Sequence, residues 1–181
     1  MGTFSSITGN TELIRTMIVP ATAMGASGDA ARETIGSVGL EAIRLRSDSS
    51  KASALVSTPA GWDSTLPVIV HMHFALVDAQ NPRDVAGLEL CHAFFHEAAP
   101  NELLLSKPLD VNILDMALSK ERGLSPLTLY TIAAQLSPSA GNNRYRDAGP
   151  GFFGLRFRLT SNRQAQQLYL LGASVDFPVH F

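Results

Sequence analysis

Four histidines fall in two close pairs, His71 with His73 and His92 with His96. His71 and His73 lie two apart in an apolar run, residues 67–77. On a strand they project from one face, opposite the row Val68, Val70, Met72, Phe74 and Leu76. His92 and His96 share the parity of a second run, residues 87–96, with Glu89 and Glu97 nearby. A His-x-His pair joined by a third histidine from a partner strand, here His92, can hold a divalent ion at the centre of a metal enzyme. No glutamate follows the pair at the spacing such a site needs, and Ala75, Leu76 and Val77 offer no ligand. The alternative is that His71 and His73 line a half-exposed sheet face or a subunit contact. No metal or cofactor is expected.

Other residues invite chemistry more weakly. Trp62-Asp63 is a pair that could stack on a sugar ring and bind its hydroxyls. Trp62 is the only tryptophan, however, and follows Pro59-Ala60-Gly61 just before an apolar run. It reads as a plug at one end of the core, with Asp63 capping the turn. Cys91, the only cysteine, sits between Leu90 and His92 in an apolar stretch and reads as a small core residue, not a nucleophile. No Gly-x-Ser-x-Gly elbow is present. Gly25-Ala26-Ser27-Gly28 and Gly36-Ser37-Val38-Gly39 lack the lysine and the strand-to-helix setting of a phosphate loop. Arg144-Tyr145-Arg146-Asp147 reads as a solvated loop tip, or as a contact to a neighbouring subunit. No catalytic residue is assigned.

The elements that position these residues are strands. Phe153, Leu155, Phe157 and Leu159 alternate with Gly154, Arg156 and Arg158, so the arginines should face away from the core. A second apolar stretch, residues 168–177, follows and should belong to the core. Residues 13–20, 40–46 and 52–57 read as strands, with Ile43 and Leu45 opposite Arg44 and Arg46. Residues 67–77 form the strongest strand, and 87–96 read as its antiparallel partner. Residues 109–118 fit strand or helix equally, and 127–136 read as strand. Residues 1–12 look like a flexible arm, 21–31 a loop, 97–108 a long connection, and 137–149 a loop without a core role. About eight strands at these spacings indicate an all-β antiparallel sandwich of jelly-roll type, one domain over residues 13–181.

Composition narrows the function further. A chain of 181 residues can bury a core without metal or disulfide, and one cysteine excludes an intrachain disulfide and a zinc ribbon. A formal charge of −2 with dispersed arginines argues against direct nucleic-acid binding. No apolar run reaches the roughly 20 residues of a membrane span. The amino terminus shows no charged leader or apolar stretch, so no secretory signal is expected. With 45% hydrophobic and 17% charged residues, part of the apolar material is expected at interfaces.

Five short motifs, in this order, carry a resemblance. They are Ile18-Val19-Pro20-Ala21 with Met24, Pro59-Ala60-Gly61-Trp62-Asp63, and Asp84-Val85-Ala86-Gly87-Leu88. The strand bearing Arg156 and Arg158 follows, and then Leu170-Leu171-Gly172-Ala173-Ser174-Val175-Asp176. Together they resemble the jelly-roll structural proteins of tailed bacteriophages. That resemblance implies a non-enzymatic virion protein, assembled in the host cytoplasm, that decorates the capsid as a homotrimer. Its partners would be the major capsid protein or other virion proteins, met through residues 1–12 and 137–149. A tail, neck or fibre adhesion component is the alternative within virions. A cupin-like metal-dependent enzyme using His71, His73 and His92, and a carbohydrate-binding module using Trp62, are the alternatives outside them.

Overall fold

The alternation of apolar and polar residues is answered by two antiparallel sheets packed face to face. The computed structural model describes residues 13–77, 87–96, 110–115 (backbone), 127–142, 144–159 and 167–180. In sheet A the order is β3 (Ala31–Ile35), β4 (Leu40–Leu45), β11 (Leu168–Val179), β6 (Val68–Leu76) and β9 (Tyr130–Leu136). β1 (Leu13–Pro20) lies along the second half of β11, in the register Leu13 to Val179 through Pro20 to Gly172. Sheet B runs β2 (Gly25–Ser27), β5 (Lys51–Ser57), β10 (Gly151–Leu159), β7 (Gly87–His96) and β8 (Asp110–Asp115). The protein is an all-β sandwich of jelly-roll type.

The core forms because the central strands of both sheets turn an apolar row inward. Val68, Val70, Met72, Phe74 and Leu76 of β6 meet Phe153, Leu155, Phe157 and Leu159 of β10, with Leu88, Leu90 and Phe94 of β7 alongside. A bulge between Leu170 and Gly172 resets the parity of β11, so that Leu168 and Leu170 and then Ala173, Val175 and Phe177 all face inward. β11 is therefore an interior strand of sheet A. Ile43 and Leu45 are buried, whereas Arg44 and Arg46 point outward and share the Glu33 carboxylate at 3.3 and 2.8 Å.

Several motifs distant in sequence meet here. A side chain at Gly172 would come within 2.7 Å of the Val19 carbonyl, so the glycine lets β1 close on β11. Gly61 has φ +75°, and a Cβ there would stand 2.4 Å from the His180 carbonyl oxygen. Next to it, Asp63 N–H donates to Pro178 O at 2.9 Å and His180 N–H to Gly61 O at 2.8 Å. The Pro59–Asp63 turn is thereby stitched to the end of β11.

Three expectations are corrected. β6 and β7 are not partners: β6 pairs with β9 and β11 in sheet A, β7 with β8 and β10 in sheet B. Both runs are apolar on one face, and they satisfy it by facing each other across the core. Residues 21–31 are not simply loop, since they hold a short 3-10 helix (Ala21–Ala23) and β2. Small residues give β2 no strand signature of its own, and pairing with β5 recruits it. Residues 137–149 do have a core role. Tyr145 is 1% exposed, its hydroxyl donates to Leu136 O, and it accepts from Val68 N–H at 3.0 Å. Burial pushes its hydroxyl pKa up to about 12, so it stays protonated. Residues 110–115 are strand. Residues 1–12 and 97–108 lie outside the described residues. No helix among the described residues is long and apolar enough to cross a membrane.

Candidate functional site

The outer face of sheet A changes character along its length. At the end formed by the β3–β4 hairpin, Ile35, Val38, Leu40, Leu127, Leu129 and Leu171 line an open cleft of about 240 Å³, floored by Gly36 and Ala75. The hairpin turn, with Gly39 N–H donating to Gly36 O, lifts Val38 to its tip, where it is 86% exposed. Leu127 and Leu129 are also exposed, at 59% and 63%. Among the described residues the lining contains no aromatic ring, no titratable group and no hydroxyl. It can take an apolar side chain from another molecule.

A polar band crosses the middle of the same face. His71 Nε2 lies 2.9 Å from Asp176 Oδ2, and Thr16 Oγ1 donates to Asp176 Oδ1 at 2.6 Å. His73 sits between the Thr131 hydroxyl, 2.9 Å from Nδ1, and the Ser174 hydroxyl, 3.1 Å from Nε2. Burial, and secondly the charge of His71, lower the His73 pKa below 6.5. These bonds link β1, β11, β6 and β9. His73 borders the cleft, being two residues from Ala75 on β6. Beyond the band Ile14 and Ile18 of β1 are exposed at 59% and 77%.

The histidines that the sequence sets as a possible triad are not together. His71 and His73 are on the outside of sheet A. His92 belongs to sheet B, shares the inward parity of Leu90 and Phe94, and is 6% exposed. His96 ends β7, where Gly149 N–H donates to its Nε2 at 3.3 Å. No group of three or more His, Cys, Asp or Glu among the described residues is placed to hold a metal ion.

Trp62 is turned inward. Its ring centroid lies 5.5 to 5.8 Å from those of Tyr145, Phe94 and Phe153, and 6.1 Å from Phe177. Its Nε1 is buried with no hydrogen-bond partner among the described residues, so packing alone holds the ring. Asp63 Oδ1 accepts from Thr65 N–H and Oγ1 at 2.9 and 2.6 Å, and Oδ2 is 2.6 Å from His180 Nε2. Cys91 is buried and free, on the side of β7 away from the core cluster. Tyr145 aside, Arg144, Arg146 and Asp147 are exposed. Sequence reasoning missed the cleft. Its residues come from four separate stretches, and only exposed leucines off the strand alternation could have hinted at it.

No protein-family model matches the chain, and no curated protein matches its sequence. Solved structures resemble it in fold. A xylan-binding module, CBM15, is 11% identical with a TM-score of 0.52, covering 94% of this chain and 99% of that one. The CBM22-1 xylan-binding domain from Paenibacillus barcinonensis Xyn10C is 10% identical with a TM-score of 0.51, covering 96% and 99%. At such identities the likeness is one of architecture.

Proposed function

We propose that this chain is a structural protein of a tailed-phage particle, a non-catalytic module that decorates the capsid. It docks on the major capsid protein or another virion protein, in a homotrimeric arrangement. The observation that carries this reading is the aliphatic cleft on the outer face of sheet A. Exposed Val38, Leu127 and Leu129 are what a protein interface buries, and the described residues of the lining offer no group for catalysis. The order of sequence motifs resembling phage jelly-roll proteins supports it. A threefold arrangement would multiply a modest contact at each cleft into firm attachment.

The fold likeness to xylan-binding modules raises sugar binding through Trp62. The inward turn of the indole against four rings speaks against that use. The test is co-sedimentation: particles assembled without this chain should take up many copies of the purified protein. Protein that stays in the supernatant at micromolar concentration, while Trp62→Ala abolishes its retention on insoluble xylan, would replace this reading with the carbohydrate one.

A further inference from the structure

β1 forms an edge of sheet A. Among the described strands it pairs with β11 alone, over its whole length and without a bulge. The direction of its backbone groups follows from β11. Val179 is flanked by Leu13 of β1 on one side and by Trp62 on the other. On the Trp62 side Pro178 C=O accepts from Asp63 N–H at 2.9 Å, and proline has no N–H to offer β1. Ile14, registered opposite Pro178, therefore turns its own N–H and C=O away from β11. With a period of two, Thr16 and Ile18 do the same.

Sheet edges are usually guarded by charge, proline or a bulge. β1 carries one charge, Arg15, and its proline, Pro20, stands at its end. Leu13, Ile14 and Ile18 are exposed at 43%, 59% and 77%, and Thr16 is exposed with them. A partner for such an edge must be an extended strand, and β1 fits itself. In an antiparallel copy about a two-fold axis, residues with outward backbone groups must stand opposite each other, so the axis passes through a residue. An axis at Arg15 sets two guanidinium groups against one another. An axis at Met17 sets Ile14 against Pro20, which has no N–H to give. An axis at Thr16 pairs Ile14 with Ile18 of the second copy, Thr16 with Thr16, and Arg15 with Met17. All three outward N–H groups then find a carbonyl.

We infer that two copies of this chain join edge to edge through β1, antiparallel about a two-fold axis at Thr16, so that their A sheets become one. Ile14 and Ile18 cover each other across the axis. The pair is closed, because each copy uses up the other's edge. The contact is narrow, so the dimer is weak in solution, with a dissociation constant on the order of 10–100 μM. It strengthens where copies are held side by side. A two-fold contact is compatible with a threefold arrangement, since it joins copies of neighbouring groups. It uses β1 and not the cleft, so it stands or falls apart from capsid docking.

The test is sedimentation velocity of the full chain from about 1 to 500 μM, joined to cross-linking by mild oxidation. The wild type should pass from monomer to dimer over that range. Ile18→Pro removes an N–H that β11 does not use, so it should keep the fold and raise the dissociation constant about tenfold or more. Ile14→Lys and Ile18→Glu should each weaken the dimer. The double variant sets the new charges opposite each other across the axis and should restore it. Thr16→Cys should give a disulfide-linked dimer, because residue 16 meets its own copy at about 5.5 Å between Cα atoms. Ile18→Cys should not, and Cys91 is buried and adds no background. A wild type monomeric at the highest concentration, or one that grows beyond a dimer, would overturn the inference. So would a dimer indifferent to Ile14→Lys and Ile18→Glu, or cross-linking through Ile18→Cys and not Thr16→Cys. Should Ile18→Pro not fold, the charge variants at these exposed positions decide the matter.

Discussion

The two ends of sheet A spend apolar side chains in opposite ways. At the end where β11 finishes, Trp62, Tyr145, Phe153 and Phe177 turn inward and pack ring against ring. At the end where β11 begins, Ile35, Val38, Leu40, Leu127 and Leu129 stay on the outside around an open cleft. The first end is stitched by Asp63, His180 and Tyr145, whose polar groups all find partners. The second is joined by backbone bonds, Leu127 N–H to Leu76 O at 3.1 Å and Val77 N–H to Gln167 O at 3.2 Å. Trp62, Asp63 and Tyr145, conspicuous in the sequence, thus serve the fold, and the cleft is lined by aliphatic residues with no chemistry of their own.

The comparison can be broken most violently from inside. Leu155→Asp puts a charge without a partner in the core, a cost of several kcal/mol that should leave no soluble folded protein. Soluble Leu155→Asp with a native circular-dichroism spectrum would mean that β10 is misassigned. Trp62→Ala should come next. Removing a ring packed against four others costs about 3 kcal/mol, read as a lower midpoint in urea denaturation. An unchanged midpoint would show that the aromatic end is not the tightly packed one.

Tyr145→Phe sharpens the contrast, since it keeps the ring and removes only the hydroxyl. Val68 N–H and Leu136 C=O lose their side-chain partner, for a loss of about 1–3 kcal/mol.

A smaller effect is set by pH. The His73 pKa is lowered in the folded state, so between that value and 6.5 the unfolded chain binds more protons. Stability should therefore fall as pH drops below 6.5, and His73→Gln should flatten the decline. Asp63 works at lower pH. Hydrogen bonds from Thr65, and then His180, hold its pKa below 3.8. Its contribution is complete above that pH and is lost as the carboxyl is protonated. Asp63→Asn should remove this acid-side loss in urea titrations compared above and below pH 3.8.

Much of this was legible in the residues. Period-two alternation located β6 and β10, which bury one row and turn the other outward, and apolar runs located β1, β4, β5, β7 and β11. The structural role of Trp62 followed from its place after Pro-Ala-Gly. Pairing was harder to read. β6 and β7 are neighbours in sequence but lie in different sheets, and nothing local separates a hairpin from a crossover. Tyr145 hid inside a loop of Gly, Ser, Asn and Arg whose composition speaks only for its backbone. The cleft was out of reach because adjacency of Val38, Leu127 and Leu171 is a product of the sheet order.

The central claim is that the aliphatic cleft is for a partner and not for the fold. The measurement is Val38→Glu combined with Leu129→Glu, with thermal melting and particle co-sedimentation run on the same sample. Both positions are exposed, so stability should change by no more than about 0.5 kcal/mol each, while uptake onto particles falls to background. A double variant that melts as wild type and decorates particles as wild type would contradict the account.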